Sequence, residues 1–233
     1  MITFAIDTAT PSPSVALVRD DAPVAELRVS AERGSGRRVL EAAHGLLASV
    51  GMDASAIGRV VVGVGPGGFT GLRIGIATAL GLGQALKVPV DGVVSLEALA
   101  LGIHRSAPEA AVVVPVLDAR RRELFAAAYR PGPGAALREM RAPCAVAPEE
   151  IGAWIASLGE PAVAGGPGLA AAGDAFALHG VPVLPEGAPG HLLRAALLAE
   201  RAAAGGARPA RPVYARLPDA EVNRRAAAGA AAG

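Results

Sequence analysis

Cysteine is nearly missing from this chain. Cys144 is the only one, which excludes an intramolecular disulfide and a thiolate metal cluster. Lysine is as scarce, with Lys87 standing alone. We read the alanine, glycine and arginine excess behind that scarcity as the coding bias of a GC-rich genome. Basic residues number 22 against 21 acidic ones, a net charge of +1. So even a balance argues against a strongly electrostatic nucleic-acid binder, while leaving room for a local basic patch. The histidines are His44, His104, His179 and His191. No two lie three or four apart, so no helix can turn a histidine pair toward a metal, and no metal site is expected. Apolar runs are short and broken by glycine, proline or charge; none reaches the roughly 18 residues of a spanning helix. The opening MITFAIDTAT has neither a basic n-region nor a cleavable apolar stretch, so no secretory signal is expected. A soluble cytoplasmic protein without membrane partners is the resulting expectation.

What is present is a 233-residue chain that is 52% hydrophobic, enough for one large or two small cores. It reads as one unit written twice. Strand-like runs at Thr3–Asp7, Val15–Val18 and Val24–Val29 are separated by turn residues. A helical pattern follows from about Arg37 to Val50, then a strand at Arg59–Val64, a glycine-rich loop, and a helix from Gly71 to Leu86. A strand at Val88–Val93 and a helix at Ser95–Gly102 end the unit. The second half repeats the order. Strands fall at Ala111–Asp118, Glu123–Tyr129 and Ala136–Val146, and a helix at Pro148–Leu158 opens on a proline and two glutamates. Then come a strand at Pro161–Ala164, a turn at Gly165–Gly168, a helix through Leu178, a strand at Val181–Leu184 and a helix at His191–Ala204. Both halves are β-β-β-α-β-α-β-α, an α/β class. The boundaries expected are 1–107, 108–218 and a disordered tail at 219–233.

The helix after the glycine-rich loop carries small residues at every fourth position: Gly71, Gly75, Ala79 and Gly83. Glycine inside a helix costs about 1 kcal/mol relative to alanine, so this stripe asks for close approach of another element. Leu72, Ile76 and Leu80 run beside it, and the preceding helix offers Val39, Leu40, Ala43 and Leu47. One face of each helix must cover a sheet. The second helix is apolar or small nearly all round, which marks burial on more than one side. The two helices are therefore the expected partner-binding surface.

Three stretches resemble one family. GVGPGGFTGLRIG (Gly63–Gly75), VLDARRRELFAAAY (Val116–Tyr129) and ARPVYARLPDAE (Ala210–Glu221) look like motifs of the TsaB (YeaZ) family, as does the opening FAIDTAT with SVALV. Gly68 replaces the serine common at that loop position, and Ser35-Gly36 replaces a common His-Ser pair. The resemblance implies a duplicated actin-like fold, the ribonuclease H-like ASKHA superfamily. It implies a non-catalytic scaffold of the bacterial complex that makes threonylcarbamoyladenosine on tRNA. The partners implied are a TsaD-type transferase, docked on the two helices, and a TsaE-type ATPase. tRNA would be met through the complex, and the isolated chain would form a homodimer on the same surface. No cofactor is assigned with certainty; ATP or ADP at the complex interface is the one the superfamily suggests.

The alternative is a small ATP-dependent kinase or ATPase of the same superfamily. The residues for nucleotide or anion binding would be Asp7 and Thr8 at the end of the first strand, and Gly67, Gly68, Thr70 and Gly71 at the strand–helix junction, where backbone N–H groups are free. Each has a plainer reading. Asp7 and nearby hydroxyls cap a turn, and the glycines allow tight packing. The loop lacks the Gly-Lys-Ser/Thr ending of a Walker motif. Gly165-Gly166 matches the adenosine-side turn of the superfamily, and a glycine pair there is also ordinary turn chemistry. Asp118 is open to two roles, a general base or an anchor for the arginine-rich hairpin Arg120-Arg121-Arg122.

Overall fold

The computed structural model describes residues 1–29 and 35–216, with side chains from 38 onward in the first helix. The expected tail at 219–233 and the end of the Ala210–Glu221 motif lie outside them. Strands β1 (Ile2–Asp7), β2 (Ser14–Arg19) and β3 (Ala22–Arg28) form an antiparallel meander. On the other edge of β1, β4 (Ile57–Gly63) and then β5 (Val90–Val93) add in parallel. Strand pleating sends alternate residues to opposite faces. Phe4, Ile6, Val15, Leu17, Val60 and Val62 pack against helices α1 (Ser35–Ser49) and α2 (Phe69–Leu86). Ala5, Ala16, Val18 and Val61 face the other way, into the centre of the molecule. Burial on both faces is why β1 and β4 read as continuous apolar runs.

The second sheet repeats the plan. Strands β6 (Val112–Arg120), β7 (Glu123–Pro131) and β8 (Leu137–Val146) form the meander, and β9 (Ala162–Gly165) pairs in parallel with β6. The order β3-β2-β1-β4-β5 is matched by β8-β7-β6-β9. The expected fifth strand at Val181–Leu184 is reduced to a single parallel bridge, Ala164 to Val183. Pro182 and Pro185 lack the N–H donors that a longer ladder needs. The helix expected through Leu178 is broken at Gly173, whose φ of +55° separates α5 (Leu169–Ala172) from α6 (Ala175–Leu178). With α4 (Ile151–Ala156), these turns cover the outer face of the second sheet. The fold is a duplicated actin-like α/β fold.

Between the sheets lie α3 (Ser95–Ser106) and α7 (Ala195–Arg201), each packed on strands of the opposite half. The last helix thus starts later than the expected His191, which sits in a 3₁₀ turn at Pro189–His191. Every residue of α3 from Ser95 to Ile103 is buried, so the helix has no solvent face to betray its direction. The start of α7 is capped by the first sheet: Ala195 N donates to Ser14 Oγ at 2.9 Å, and Ala196 N to Glu26 at 3.1 Å. Such side chains satisfy the orphan N–H groups of a helix start and complement its positive end. An ion triad centred on the buried Glu97 adds a third tie. Glu97 of α3 accepts from Arg201 at 2.7 Å and from Arg208 at 3.1 Å. Burial still holds the Glu97 carboxyl above its usual range, against the pull of both arginines.

After α7 the chain makes a π turn at Ala202–Gly206 and returns to the first sheet as β10 (Arg208–Pro209), antiparallel to β5. This return was not visible in the apolar pattern. It continues with Val213 N donating to Val64 O at 2.8 Å. It then reaches the second half, where Arg216 pairs with Glu123 and donates to Ala119 O at 3.3 Å. Among the described residues no helix is long and apolar enough to cross a membrane.

Candidate functional site

The end of β1 is a closed polar knot. Asp7 is 1% exposed. Its Oδ1 accepts from Ala9 N at 2.8 Å and its Oδ2 from Ser95 Oγ at 3.0 Å. Gly65 N in turn donates to Ser95 Oγ at 3.3 Å, so one hydroxyl clamps the first strand to the glycine-rich loop. Gly63 lies against the carboxylate so tightly that a Cβ there would overlap Asp7 Oδ2. Burial pushes the Asp7 carboxyl up to about 6, despite the opposing pull of its two hydrogen bonds. Ser95 is the member that sequence reading missed. A serine opening a helix suggests a cap, yet the N-cap position is Val94 and the Ser95 hydroxyl is spent on Asp7.

The glycine-rich loop packs on the same turn. Gly68 N donates to Ala9 O at 2.8 Å, and a Cβ at Gly67 would collide with Ala9. A Cβ at Gly71 would overlap Thr8 O, and one at Gly75 would overlap Thr8 Oγ1. Thr8 is 2% exposed and its hydroxyl has no hydrogen-bond partner. Thr70, by contrast, is exposed at the mouth of α2. Asp7, Thr8, Gly67, Gly68 and Gly71 are thus brought together, with both carboxylate oxygens engaged inside the chain. Among the described residues no three His, Cys, Asp or Glu side chains cluster as a metal site requires. At the other turn, Gly166 N donates to His191 Nδ1 at 3.1 Å, and a Cβ on Gly166 would overlap Val116 O. Asp118 anchors its hairpin, accepting from Arg120 N at 2.7 Å.

The small-residue stripe also faces inward. Gly71 and Gly75 meet Thr8, and Gly83 meets Val90 of the chain's own sheet and Val88 just before it. Val39, Ala43, Leu47, Leu72, Gly75, Ile76, Ala79 and Gly83 are all buried in the chain itself, which corrects their reading as surface residues for a partner. The element whose close approach the glycines required is the chain's own first sheet. Of the ten residues expected at the interface, Leu40 at 49% and Leu80 at 47% are exposed. The same two helices carry two exposed glycines that sequence reading passed over. Gly45 in α1 and Gly81 in α2 are exposed, and a Cβ on either would meet nothing within 4 Å. Their helix-interior cost has no compensation inside the chain.

A second exposed cluster sits at the start of α2. Phe69 is 49% exposed and carries the Arg73 guanidinium 3.9 Å from its ring centroid. Tyr214 of the returning segment stands 5.8 Å from the same ring and is 42% exposed.

Comparison with known proteins bears on the whole chain. The family model described as TsaD, tRNA N6-adenosine threonylcarbamoyltransferase, matches residues 29–154. The tRNA threonylcarbamoyladenosine biosynthesis protein TsaB of Bacillus subtilis (strain 168) is 34% identical over 131 residues, 56% of each chain, so this match spans about half of that relative's length. An uncharacterized protein of Mycobacterium tuberculosis (strain H37Rv) is 34% identical over 224 residues, 94% of this chain and 93% of that one. The solved structure of YeaZ from Pseudomonas aeruginosa superposes with a TM-score of 0.73 at 27% identity, covering 91% of this chain and 99% of that chain. With the duplicated fold, the glycine-rich junction and a near full-length match at 34% identity in agreement, the chain belongs to the TsaB (YeaZ) family.

Proposed function

We propose that this chain serves the biosynthesis of threonylcarbamoyladenosine on tRNA, the process for which its TsaB relatives are named. In this reading it is a non-catalytic subunit that binds and supports a TsaD-type transferase, with a TsaE-type ATPase joining the complex. The observation that carries the reading is the outer face of α1 and α2. Leu40 and Leu80 stand half exposed on these helices, which also carry exposed interior glycines at 45 and 81 with open space above them. A face that combines apolar side chains with bare backbone fits the close approach of a partner's helices. The engagement of Asp7 supports the non-catalytic part, because a carboxylate bonded at both oxygens and covered by Gly63 is not placed to hold a metal.

Reconstitution tests the role. Threonylcarbamoyl transfer to tRNA is measured with the transferase, the ATPase and the adenylate-forming enzyme, with and without this chain. Omission is expected to abolish transfer; an equal rate without it ends the reading. The docking face is tested separately. Gly81→Ala should raise the unfolding free energy of the isolated chain by about 1 kcal/mol while weakening transferase binding. Leu80→Arg should weaken binding at least about thirty-fold, the scale of a buried hot spot. Unchanged affinity in both folded variants would remove the face from the proposal. A homodimer that competes with the transferase for the same residues would appear in sedimentation of the isolated chain.

A further inference from the structure

We infer that the chain itself contacts RNA, through the rim that runs from the start of α2 along the returning segment to the β6–β7 hairpin; the inference rests on the tRNA reading above. The rim is continuous. Arg73 lies on Phe69, Phe69 lies beside Tyr214, and two residues further on Arg216 donates to Ala119 O at the foot of the hairpin. The hairpin then lifts Arg120, Arg121 and Arg122 into solvent, all three exposed. Two carboxylates flank the turn: Asp118 accepts from the Arg120 backbone N–H and, at 3.5 Å, pairs with its guanidinium, and Glu123 pairs with Arg216. A chain of net charge +1 thus concentrates positive charge beside two half-exposed rings.

The hairpin's backbone is the second observation. Arg120, Arg121 and Arg122 have φ of 62°, 55° and 59°. Arg120 pairs with Glu123, so the loop is a two-residue turn with positive φ at both central positions. Such turns favour Asn-Gly, since the left-handed region strains other side chains by about 1 kcal/mol or more each. Three consecutive arginines held there are what folding alone would not select, and strain of this kind clusters at working sites.

The chemistry indicates the ligand class. Arginines match phosphate geometry and exposed rings stack on unpaired bases, the pairing that recognises single-stranded and loop nucleic acid. An acidic protein segment would satisfy the arginines but leave the rings without a purpose. The rim is also distinct from the docking face: Phe69 and Leu80 are about 16 Å apart along α2.

The test uses the full chain and a fluorescein-labelled anticodon stem–loop RNA, read by anisotropy across a salt series. Arg121→Asn with Arg122→Gly installs the residues the turn prefers. It should hold or raise the melting temperature, weaken binding about ten-fold at low salt, and cut the salt slope of log K by about 1.4, the value for two lost single-strand phosphate contacts. Phe69→Ala with Tyr214→Ala should weaken binding about ten-fold or more with the slope unchanged, as loss of stacking predicts. Wild-type affinity in both folded variants overturns the inference. So does loss of transferase binding with RNA affinity intact, which would assign the rim to a protein. Because the assay contains no other subunit, its failure is separable from failure of the reconstitution.

Discussion

At pH 7.5 the Asp7→Asn chain should unfold with a free energy about 2–3 kcal/mol higher than the parent, and the gain should vanish near pH 4. The Asp7 carboxyl is raised from 3.8 to about 6, with burial as the dominant cause. Each tenfold change in proton affinity is worth about 1.4 kcal/mol, which sets the size of the effect. The sign follows from proton counting. The folded state holds this proton more tightly than the unfolded one, so between about pH 4 and 6 it carries more protons. Stability therefore falls as pH rises through that window and stays lower above it. Asparagine removes the charge but keeps the contacts. Its Oδ1 can accept from Ala9 N, and its Nδ2 can donate to Ser95 Oγ in place of the present hydrogen bond. Urea unfolding of both proteins from pH 4 to 8 checks this. A difference that is flat across the range, or a less stable variant at pH 7.5, would show that the carboxylate is not held at a cost.

Alanine at Gly75 should destabilise the chain by about 3 kcal/mol, and Thr8→Ala should restore most of that loss. The added Cβ would overlap Thr8 Oγ1, with Thr8 Cβ and Cγ2 at 3.2 Å. Overpacking of a closed site costs about 1–3 kcal/mol or more and outweighs the helix-propensity gain of about 1 kcal/mol. Thr8→Ala alone should be close to neutral, because the hydroxyl it deletes is buried without a partner and such a group is itself unfavourable. The pair is a double-mutant cycle with a large coupling term. Gly71→Ala supplies the contrast: its Cβ would overlap the backbone oxygen of Thr8, so no side-chain deletion relieves it. Thermal and denaturant melts of the three single variants and the Gly75 double decide the matter. Additive effects in the Gly75 cycle would mean that α2 moves off β1 instead of clashing with it.

These two sites also mark where the sequence was readable. The repeated element order was legible because strand and helix periods survive in the meanders and in α1 and α2, even with alanine blurring them. The positions of α3 and α7 were not. A helix buried all round offers no solvent face to orient it, so nothing local tells Leu99 or Leu197 which sheet it will meet. The stripe Gly71, Gly75, Ala79 and Gly83 announced a close neighbour but could not name it, and the neighbour is the chain's own Thr8 and Val90. The exposed Gly45 and Gly81 fell outside the four-residue spacing and passed unnoticed. For Asp7 both roles were written in the local sequence. The deciding contact, Ser95, lies 88 positions away, and a separation of that kind is invisible to any window. The bridge at Val183 was the opposite case, since Pro182 and Pro185 already argued against a full strand.

The crossing of α3 and α7 has a consequence for synthesis. The central face of the first sheet is covered by α7, whose residues begin at Ala195, and its open edge is closed by β10 at Arg208. On the ribosome, the first hundred residues therefore emerge as a sheet with one bare apolar face and an unpaired β5 edge. At about 5–20 residues per second, several seconds pass before the covering helix is made. The nascent half is a sticky intermediate over that interval, and the two halves become a single cooperative unit only when the last elements arrive.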